Sequence, residues 1–242
     1  MTELNLEFSN QFDVLYNNIM SNQAPGLDEY EKSVIFTDAQ KQLILSYYNG
    51  NNTNDFSFEK TEEVRRYLER LIKTAVLEED QSYDSTLLIG GSSSKVFTLP
   101  DNLWFITYEA VRVQDTGECK NGRELLVVPT TQDEYYRTQD NPFKKANIRR
   151  ALRLDIGMTE NQETTEEEDK IKDKVEIVSD YDNIKYLIRY MEKPSPIILT
   201  DLTGEGLTID GVSEETECKL HPALHKTIID LAVALAAKNY KG

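Results

Sequence analysis

Leu103-Trp-Phe-Ile-Thr-Tyr-Glu-Ala-Val-Arg-Val113 is the stretch that decides the fold. Its β-branched and aromatic residues predict a strand in the middle of the chain. Asn121-Gly122 follows as a strong two-residue turn signal, and an apolar segment returns at 124–128, so we predict an antiparallel hairpin with a long tip. Further strands are predicted from alternating or short apolar segments at 96–99, 149–156, 175–178, 184–191 and 196–202.

Helical patterns lie on both sides of this β region. Before it, apolar residues recur at spacings of three and four in residues 6–20, 28–49 and 61–75. The second pattern is predicted as two helices, because Thr37-Asp-Ala-Gln40 has the form of a capping box, and it ends at Asn49-Gly50. After the β region, His221-Pro222 predicts the start of a helix that continues to Tyr240. Within the β region, Thr131-Gln-Asp-Glu134 has the form of another capping box and predicts a short helix that continues to Arg137.

The sequence therefore predicts an α+β fold. N-terminal helices and a C-terminal helix form a helical body, into which an antiparallel β region is inserted as a sandwich or a barrel-like sheet. We assign residues 1–86 to the helical body, 87–215 to the β region and 216–242 to the closing helix. Residues 160–173 are an acidic low-complexity insertion in the β region and are predicted to form a loop.

Composition restricts the classes of function. The 242 residues include 43 Asp and Glu against 27 Lys and Arg, a net charge of −16, and 39% are hydrophobic, which predicts a folded protein. No apolar run is long enough to span a bilayer, and the N-terminus lacks the pattern of a secretory signal, so we predict a cytoplasmic protein. The presence of only two cysteines is consistent with a reducing compartment. The acidic charge disfavours broad binding to nucleic acid, so any DNA contact must be local.

Two sequence patterns resemble catalytic or ligand sites, and neither is complete. Cys218, His221 and His225 are zinc-ligand types at suitable spacing, but no fourth ligand follows, so no metal is predicted. Gly90-Gly-Ser-Ser-Ser-Lys95 lacks the Gly-Lys-Ser/Thr ending of a phosphate loop and the helix after it, which favours a flexible connection. With no nucleophile placed near either histidine, we predict no enzyme, no catalytic residue and no cofactor.

One basic cluster stands out from the acidic background, with Tyr135, Tyr136 and Phe143 interleaved. Three interpretations remain open. The cations bind DNA phosphates or an acidic neighbour; they pair with the protein's own carboxylates; or the basic stretch of one subunit meets the acidic insertion of the next. The candidate interface or DNA-contact residues are Arg137, Lys144, Lys145, Arg149, Arg150 and Arg153.

Segments spread along nearly the whole chain resemble head-to-tail connector proteins, the ring or adaptor proteins of tailed bacteriophages, and most of all those of crAss-like gut phages. The resemblance rests on Leu15-Tyr-Asn-Asn-Ile-Met-Ser-Asn-Gln-Ala-Pro-Gly-Leu-Asp-Glu-Tyr-Glu-Lys-Ser-Val34, Thr37-Asp-Ala-Gln40, Leu99-Pro-Asp-Asn-Leu103, Val128-Pro-Thr-Thr-Gln-Asp-Glu-Tyr135, Asn141-Pro-Phe-Lys144, Ile188-Arg-Tyr-Met-Glu-Lys-Pro-Ser-Pro-Ile-Ile-Leu199, Leu207-Thr-Ile-Asp-Gly211 and Glu217-Cys-Lys-Leu-His-Pro-Ala-Leu-His225.

This resemblance implies a structural virion protein of the neck or tail, assembled in the host bacterial cytoplasm. It implies a ring of about twelve copies below the portal that extends the DNA channel and provides a platform for tail attachment. The implied partners are the portal protein, neighbouring copies, other tail or ring proteins, and DNA that passes without sequence-specific binding; no membrane is involved. The alternative is a soluble DNA-handling protein that uses the basic patch from Arg137 to Arg153.

Overall fold

The computed structural model describes residues 1–20, 25–50, 57–81, 94–114, 121–138, 140–156 and 173–241. Contacts divide the chain into two compact units. The helical unit consists of residues 1–71 and 194–242, and the β unit consists of residues 72–193. A β region inserted between N-terminal and C-terminal helices confirms the predicted α+β fold class.

The element bounds follow the predicted order. The helices are α1 (Glu3–Met20), α2 (Glu29–Asn49), α3 (Glu62–Leu68), α4 (Gln132–Thr138) and α5 (His225–Lys241), with 3-10 turns at Glu69–Leu71, Thr203–Glu205 and Pro222–Leu224. The strands are β1 (Ile72–Leu77), β2 (Ser94–Thr98), β3 (Leu103–Val113), β4 (Glu124–Pro129), β5 (Arg150–Ile156), β6 (Lys174–Val178) and β7 (Ile184–Glu192). In the described part of the chain, no helix combines the length and apolar character needed to cross a bilayer.

Helix α2 is continuous, so the predicted break at Thr37 is wrong. The capping box lies at its start instead: the Asp28 carboxylate accepts from the Glu31 N–H at 2.7 Å, and the Glu31 carboxylate accepts from the Asp28 N–H at 3.1 Å. The predicted end is confirmed, because Gly50 has a φ of 74°, a left-handed conformation that glycine adopts without steric cost.

Two hydroxyl groups of α2 bind the backbone of the segment that returns from the β unit. The Ile197 N–H donates to Thr37 Oγ1 at 3.1 Å, and the Leu199 N–H donates to Ser33 Oγ at 3.0 Å. The predicted strand at 196–202 is therefore wrong. The segment is buried, which accounts for its apolar residues. Side chains of α2, and not a neighbouring strand, accept from the N–H groups of Ile197 and Leu199.

The core of the helical unit forms between α1, α2 and α5. The Phe36 ring makes edge-on contacts with Phe8 and Phe12, each at a centroid distance of 5.4 Å. Helix α5 places Ile228 and Ala232 in the core, both fully buried. The amphipathic stripes predicted for the first and last helices thus provide the packing of this unit.

Strand β1 corrects a second prediction. The helical pattern predicted for 61–75 ends at Leu68, and the chain then pairs antiparallel with β7, from Ile72 opposite Met191 to Leu77 opposite Tyr186. Thr74 and Val76 are β-branched and suit a strand. Pairing with a strand more than a hundred residues later decides the conformation here, and the local pattern does not reveal it.

The seven strands form one sheet in the order β1-β7-β3-β4-β5-β6-β2. The predicted hairpin is confirmed by antiparallel pairing of β3 with β4, with Ala110 opposite Leu126 and Arg112 opposite Glu124. The strands predicted at 149–156, 175–178 and 184–191 are confirmed as β5, β6 and β7. The sheet is antiparallel throughout except for the parallel pair β4–β5.

The sheet curls into a half-barrel, so the barrel-like form of the prediction is the one observed. Residues directly after β1 reach β2 at the other edge: the Asp80 N–H donates to the Val96 carbonyl at 2.8 Å, and Glu79 pairs with Lys95 at 2.8 Å. The curl encloses a core that includes Phe97, Val111, Leu125, Ala151, Ile177, Tyr186 and Ile188.

The boundaries between the two units lie at residues 72 and 194, whereas the sequence predicts them at residues 87 and 216. Strand β1 belongs to the β unit because it pairs with β7. The segment that follows β7 belongs to the helical unit, where the Asn5 side chain donates to the Ile198 carbonyl at 3.1 Å.

Replacing Thr37 by valine tests the contact between α2 and the returning segment. We expect Thr37→Val to lower the free energy of unfolding by about 1–3 kcal/mol, because it removes the acceptor of a buried N–H. Urea denaturation followed by circular dichroism measures this loss. Thr37→Ser keeps the hydroxyl and is the control, so it should lose less stability than Thr37→Val; a Thr37→Val variant as stable as the unchanged chain would contradict the role of this hydrogen bond.

Candidate functional site

The six predicted basic residues lie in one stretch of the β unit, from the end of α4 through a loop to β5. Arg137 is in the last turn of α4, whose start is confirmed by the Glu134 N–H donating to Thr131 Oγ1 at 3.3 Å. Lys144, Lys145 and Arg149 lie in the loop, and Arg150 and Arg153 are on β5. The structure gives these six cations three different environments.

Arg150 holds the loop together. Its guanidinium donates to the Phe143 carbonyl at 2.5 Å and to the Lys145 carbonyl at 2.6 Å. The Asn147 N–H donates to the Arg150 carbonyl at 2.9 Å and closes the loop on the strand. Arg150 therefore uses its donors to fix the backbone on which neighbouring side chains are displayed.

Arg153 lies on the inner face of the curled sheet. The Glu109 carboxylate accepts from its guanidinium at 2.9 Å and from the Tyr186 hydroxyl at 2.5 Å. The Arg153 and Glu109 side chains are only 13% and 11% exposed. Burial lowers the pKa of Arg153, but the charge of Glu109 more than offsets this and the pKa is raised. Burial, together with the Glu109 hydrogen bond, raises the pKa of Tyr186 far above its ordinary value, so the pair is a fixed ion pair with a neutral tyrosine.

The other cations face solvent. Lys144 pairs with Glu134 at 3.3 Å, and both side chains are more than half exposed, so the pair contributes little to stability. Arg137, Lys145 and Arg149 are exposed and have no carboxylate within 4.0 Å among the described residues. In the described part of the chain, these three cations are available to a partner. The acidic insertion lies outside the described residues except for Asp173, and so does its predicted contact with the basic stretch.

The cysteine and histidines near α5 have local structural environments. Cys218 is 6% exposed, and burial raises its pKa to about 11, so it stays a thiol at neutral pH. His221 caps the 3-10 turn before α5, as predicted, by accepting from the Ala223 N–H at 3.2 Å. Burial lowers the pKa of His225. Within the described ranges, no three His, Cys, Asp or Glu side chains form a group that would hold a metal ion.

The sequence patterns do not reveal two features: a groove in the helical unit and the exposure of Phe143 in the β unit. A groove of about 1020 Å³ lies in the helical unit, lined by α1, α5 and the segment before α5. Helix α1 has apolar residues on a second face: Leu4, Val14 and Leu15 line the groove, and Val14 is 61% exposed. In the β unit, Phe143 is 85% exposed. The sequence places Phe143 among the basic residues but does not show that its side chain is exposed.

Removing the Arg153 side chain tests its structural role. We expect Arg153→Ala to lower the free energy of unfolding by about 2–4 kcal/mol, because it leaves the mostly buried Glu109 carboxylate without its cation. Lys145→Ala is the matched control and should change stability by less than about 0.5 kcal/mol. Urea denaturation of both variants measures the difference; equal, small losses would contradict the internal ion pair.

The comparisons with known proteins give one consistent result. The family model for phage tail ring protein 3/4 matches residues 1–241. "Ring protein 3" of Bacteroides phage crAss001 is 43% identical over 235 residues, which cover 96% of this chain and 94% of that protein. "Ring protein 4/5" of the same phage is 36% identical over 238 residues, covering 98% of this chain and 93% of that protein. The resemblance found in the sequence is thus confirmed: this chain belongs to the phage tail ring protein 3/4 family and is similar to ring proteins of a crAss-like phage.

Proposed function

We propose that this chain is a structural component of the phage head-to-tail connector. About twelve copies form a ring below the portal, extend the DNA channel and provide a platform for tail attachment. The observation that carries this proposal is the match over nearly the full length of both this chain and two relatives named as ring proteins. The protein acts through its interfaces, without a catalytic step or a cofactor.

The charge of the chain supports a position around passing DNA. The net charge is −16 per copy, and closing copies into a ring concentrates this charge around one axis. Like charges repel phosphate groups, so the wall would not retain DNA as it passes. The partners in this proposal are neighbouring copies, the portal protein, other tail or ring proteins, and DNA without sequence-specific contact. Assembly takes place in the host bacterial cytoplasm, and the finished ring lies in the neck or tail of the virion.

A second function is favoured by the exposed cations of the β unit. Arg137, Lys145 and Arg149 have no carboxylate partner among the residues that the structure describes, and they are the type of side chain that contacts phosphate groups. A soluble DNA-handling protein would use them for local binding despite the acidic remainder of the chain. The two functions differ in whether the isolated chain binds DNA or assembles with virion proteins.

Native mass spectrometry tests the connector proposal. We expect the purified chain, mixed with the portal protein of the same phage, to give a complex with about twelve copies of this chain, because ring subunits close on a symmetric partner. The chain alone is the comparison, since a ring that forms only on the portal is templated by it. A chain that stays monomeric in every mixture with portal and ring proteins would contradict the proposal.

Salt-dependent DNA binding tests the alternative. If the cluster handles DNA, Lys145→Glu with Arg149→Glu should abolish binding, and the affinity of the unchanged chain should fall steeply with salt, by about 0.9 log units per phosphate contact for each log unit of salt. The double change Lys60→Glu with Lys238→Glu is the control, because it reverses two exposed cations of the helical unit. We expect no binding tighter than background for any of these proteins, since the unchanged chain has a net charge of −16 and each double change makes it more negative.

A further inference from the structure

The outer face of the curled sheet carries a row of apolar side chains. The strand register places Val76, Leu187, Ala110 and Leu126 side by side across β1, β7, β3 and β4. Their sequence neighbours point into the core, so these four lie on the opposite face. Val76 is 55% exposed and Leu126 is 64% exposed. Ala110 is buried at 2% exposure, so the exposed apolar side chains of this row lie at Val76 and at Leu126. Exposed apolar side chains that continue into neighbouring ones are typical of an interaction surface.

This row leads to the loop before β5. The Leu126 N–H donates to the Arg149 carbonyl at 3.0 Å, and Leu126 lies opposite Arg150 in the parallel pair. Within the loop, Phe143 is 85% exposed and Ile148 is 56% exposed. Residues 141–150 contain four cations and no carboxylate, in a chain of net charge −16. We call this surface the basic apolar patch; it consists of Leu126, Phe143 and Ile148 with Lys144, Lys145 and Arg149.

The exposure of Phe143 is fixed by the loop structure. The Asn141 side chain accepts from the Phe143 N–H at 2.9 Å, and Arg150 binds the Phe143 carbonyl at 2.5 Å. The Asn147 side chain accepts from the Arg149 N–H at 2.9 Å. An aromatic side chain displayed on an ordered backbone loses little entropy on binding, which is the property of an interface anchor.

The groove of the helical unit has complementary chemistry. Its apolar lining includes Leu4, Phe8, Leu15 and Ile229, and its volume of about 1020 Å³ far exceeds the cavity of about 150 Å³ that accepts a benzene ring. Three carboxylates and two cations line it: Glu7, Glu217 and Asp230 against Arg70 and Lys226. Helix α1, which forms one wall, contains three acidic residues and no Lys or Arg. We call this surface the acidic groove.

We propose that the basic apolar patch of one copy docks in the acidic groove of the next copy, with Phe143 entering the apolar lining. A ring built from head-to-tail contacts needs two different, complementary surfaces on every copy, and this chain carries one on each of its units. Cations beside Phe143 meet an excess of carboxylates around the groove, which selects a second copy and fixes its orientation. This inference rests on the proposed ring function and adds the contact that closes the ring.

Charge reversal with rescue tests the contact. Rings are assembled on the portal protein and counted by native mass spectrometry. We expect Phe143→Asp to lower ring yield about tenfold or more, because it removes a central aromatic anchor. Lys145→Glu should lower the yield several-fold, and Lys145→Glu combined with Glu7→Lys should restore most of it. Lys60→Glu is the matched control and should leave the yield unchanged, because Lys60 belongs to neither surface. Circular dichroism of each variant shows that the fold is retained.

Cysteine cross-linking gives a second measurement, which reports the contact within the rings that do form. In a Cys119→Ser, Cys218→Ala background, the pair Phe143→Cys and Leu15→Cys should form a ladder of disulfide-linked copies in assembled rings, and neither single change should do so. Intact rings in which Phe143→Cys has no effect, and in which no ladder forms, would overturn this contact while leaving the ring function in place. Wild-type chain that forms no ring with or without the portal would overturn both.

Discussion

Side-chain hydrogen bonds from one face of α2 to the segment after β7 hold the helical unit together. This unit consists of two pieces of chain separated by the whole β unit, and the second piece begins with an irregular segment that precedes α5. Ser33 and Thr37 accept from the N–H groups of Leu199 and Ile197, and the Gln40 side chain donates to the Ser195 carbonyl at 3.2 Å. Buried backbone groups need partners, and spacings of four and three along α2 place these side chains on one face.

The β unit depends on a different constraint: water must be excluded from one face of an open sheet. Curling brings Asp80 to Val96 and encloses the apolar side chains. The buried pair of Arg153 with Glu109 then provides the polar contact inside this face. As a result, the basic residues of one short stretch have separate roles: Arg153 stabilises the sheet, Arg150 fixes a loop, and the remaining cations face solvent.

Local signals in the sequence predicted the parts of the fold that local chemistry decides. The hairpin after β3, the start of α4 at Thr131 and the helix opened by His221 each depend on residues within a few positions of one another. Tertiary contacts decide the parts that were missed. Strand β1 and the segment at 196–202 take their conformation from partners more than a hundred residues away in sequence.

For the candidate site, the sequence identified the six cations but not their pairing, because Glu109 lies 44 residues from Arg153. The groove was missed because α1 has apolar residues on two faces.

A cryo-electron microscopy reconstruction of the virion neck and tail, computed without imposed symmetry, tests the central claim most directly. The claim is that copies of this chain form a closed ring through contacts between two different surfaces. It predicts continuous density for a ring of this chain, with residues 141–150 of each copy against α1 of the next. Density for isolated copies, or neighbours that meet through the same surface on both sides, would contradict it.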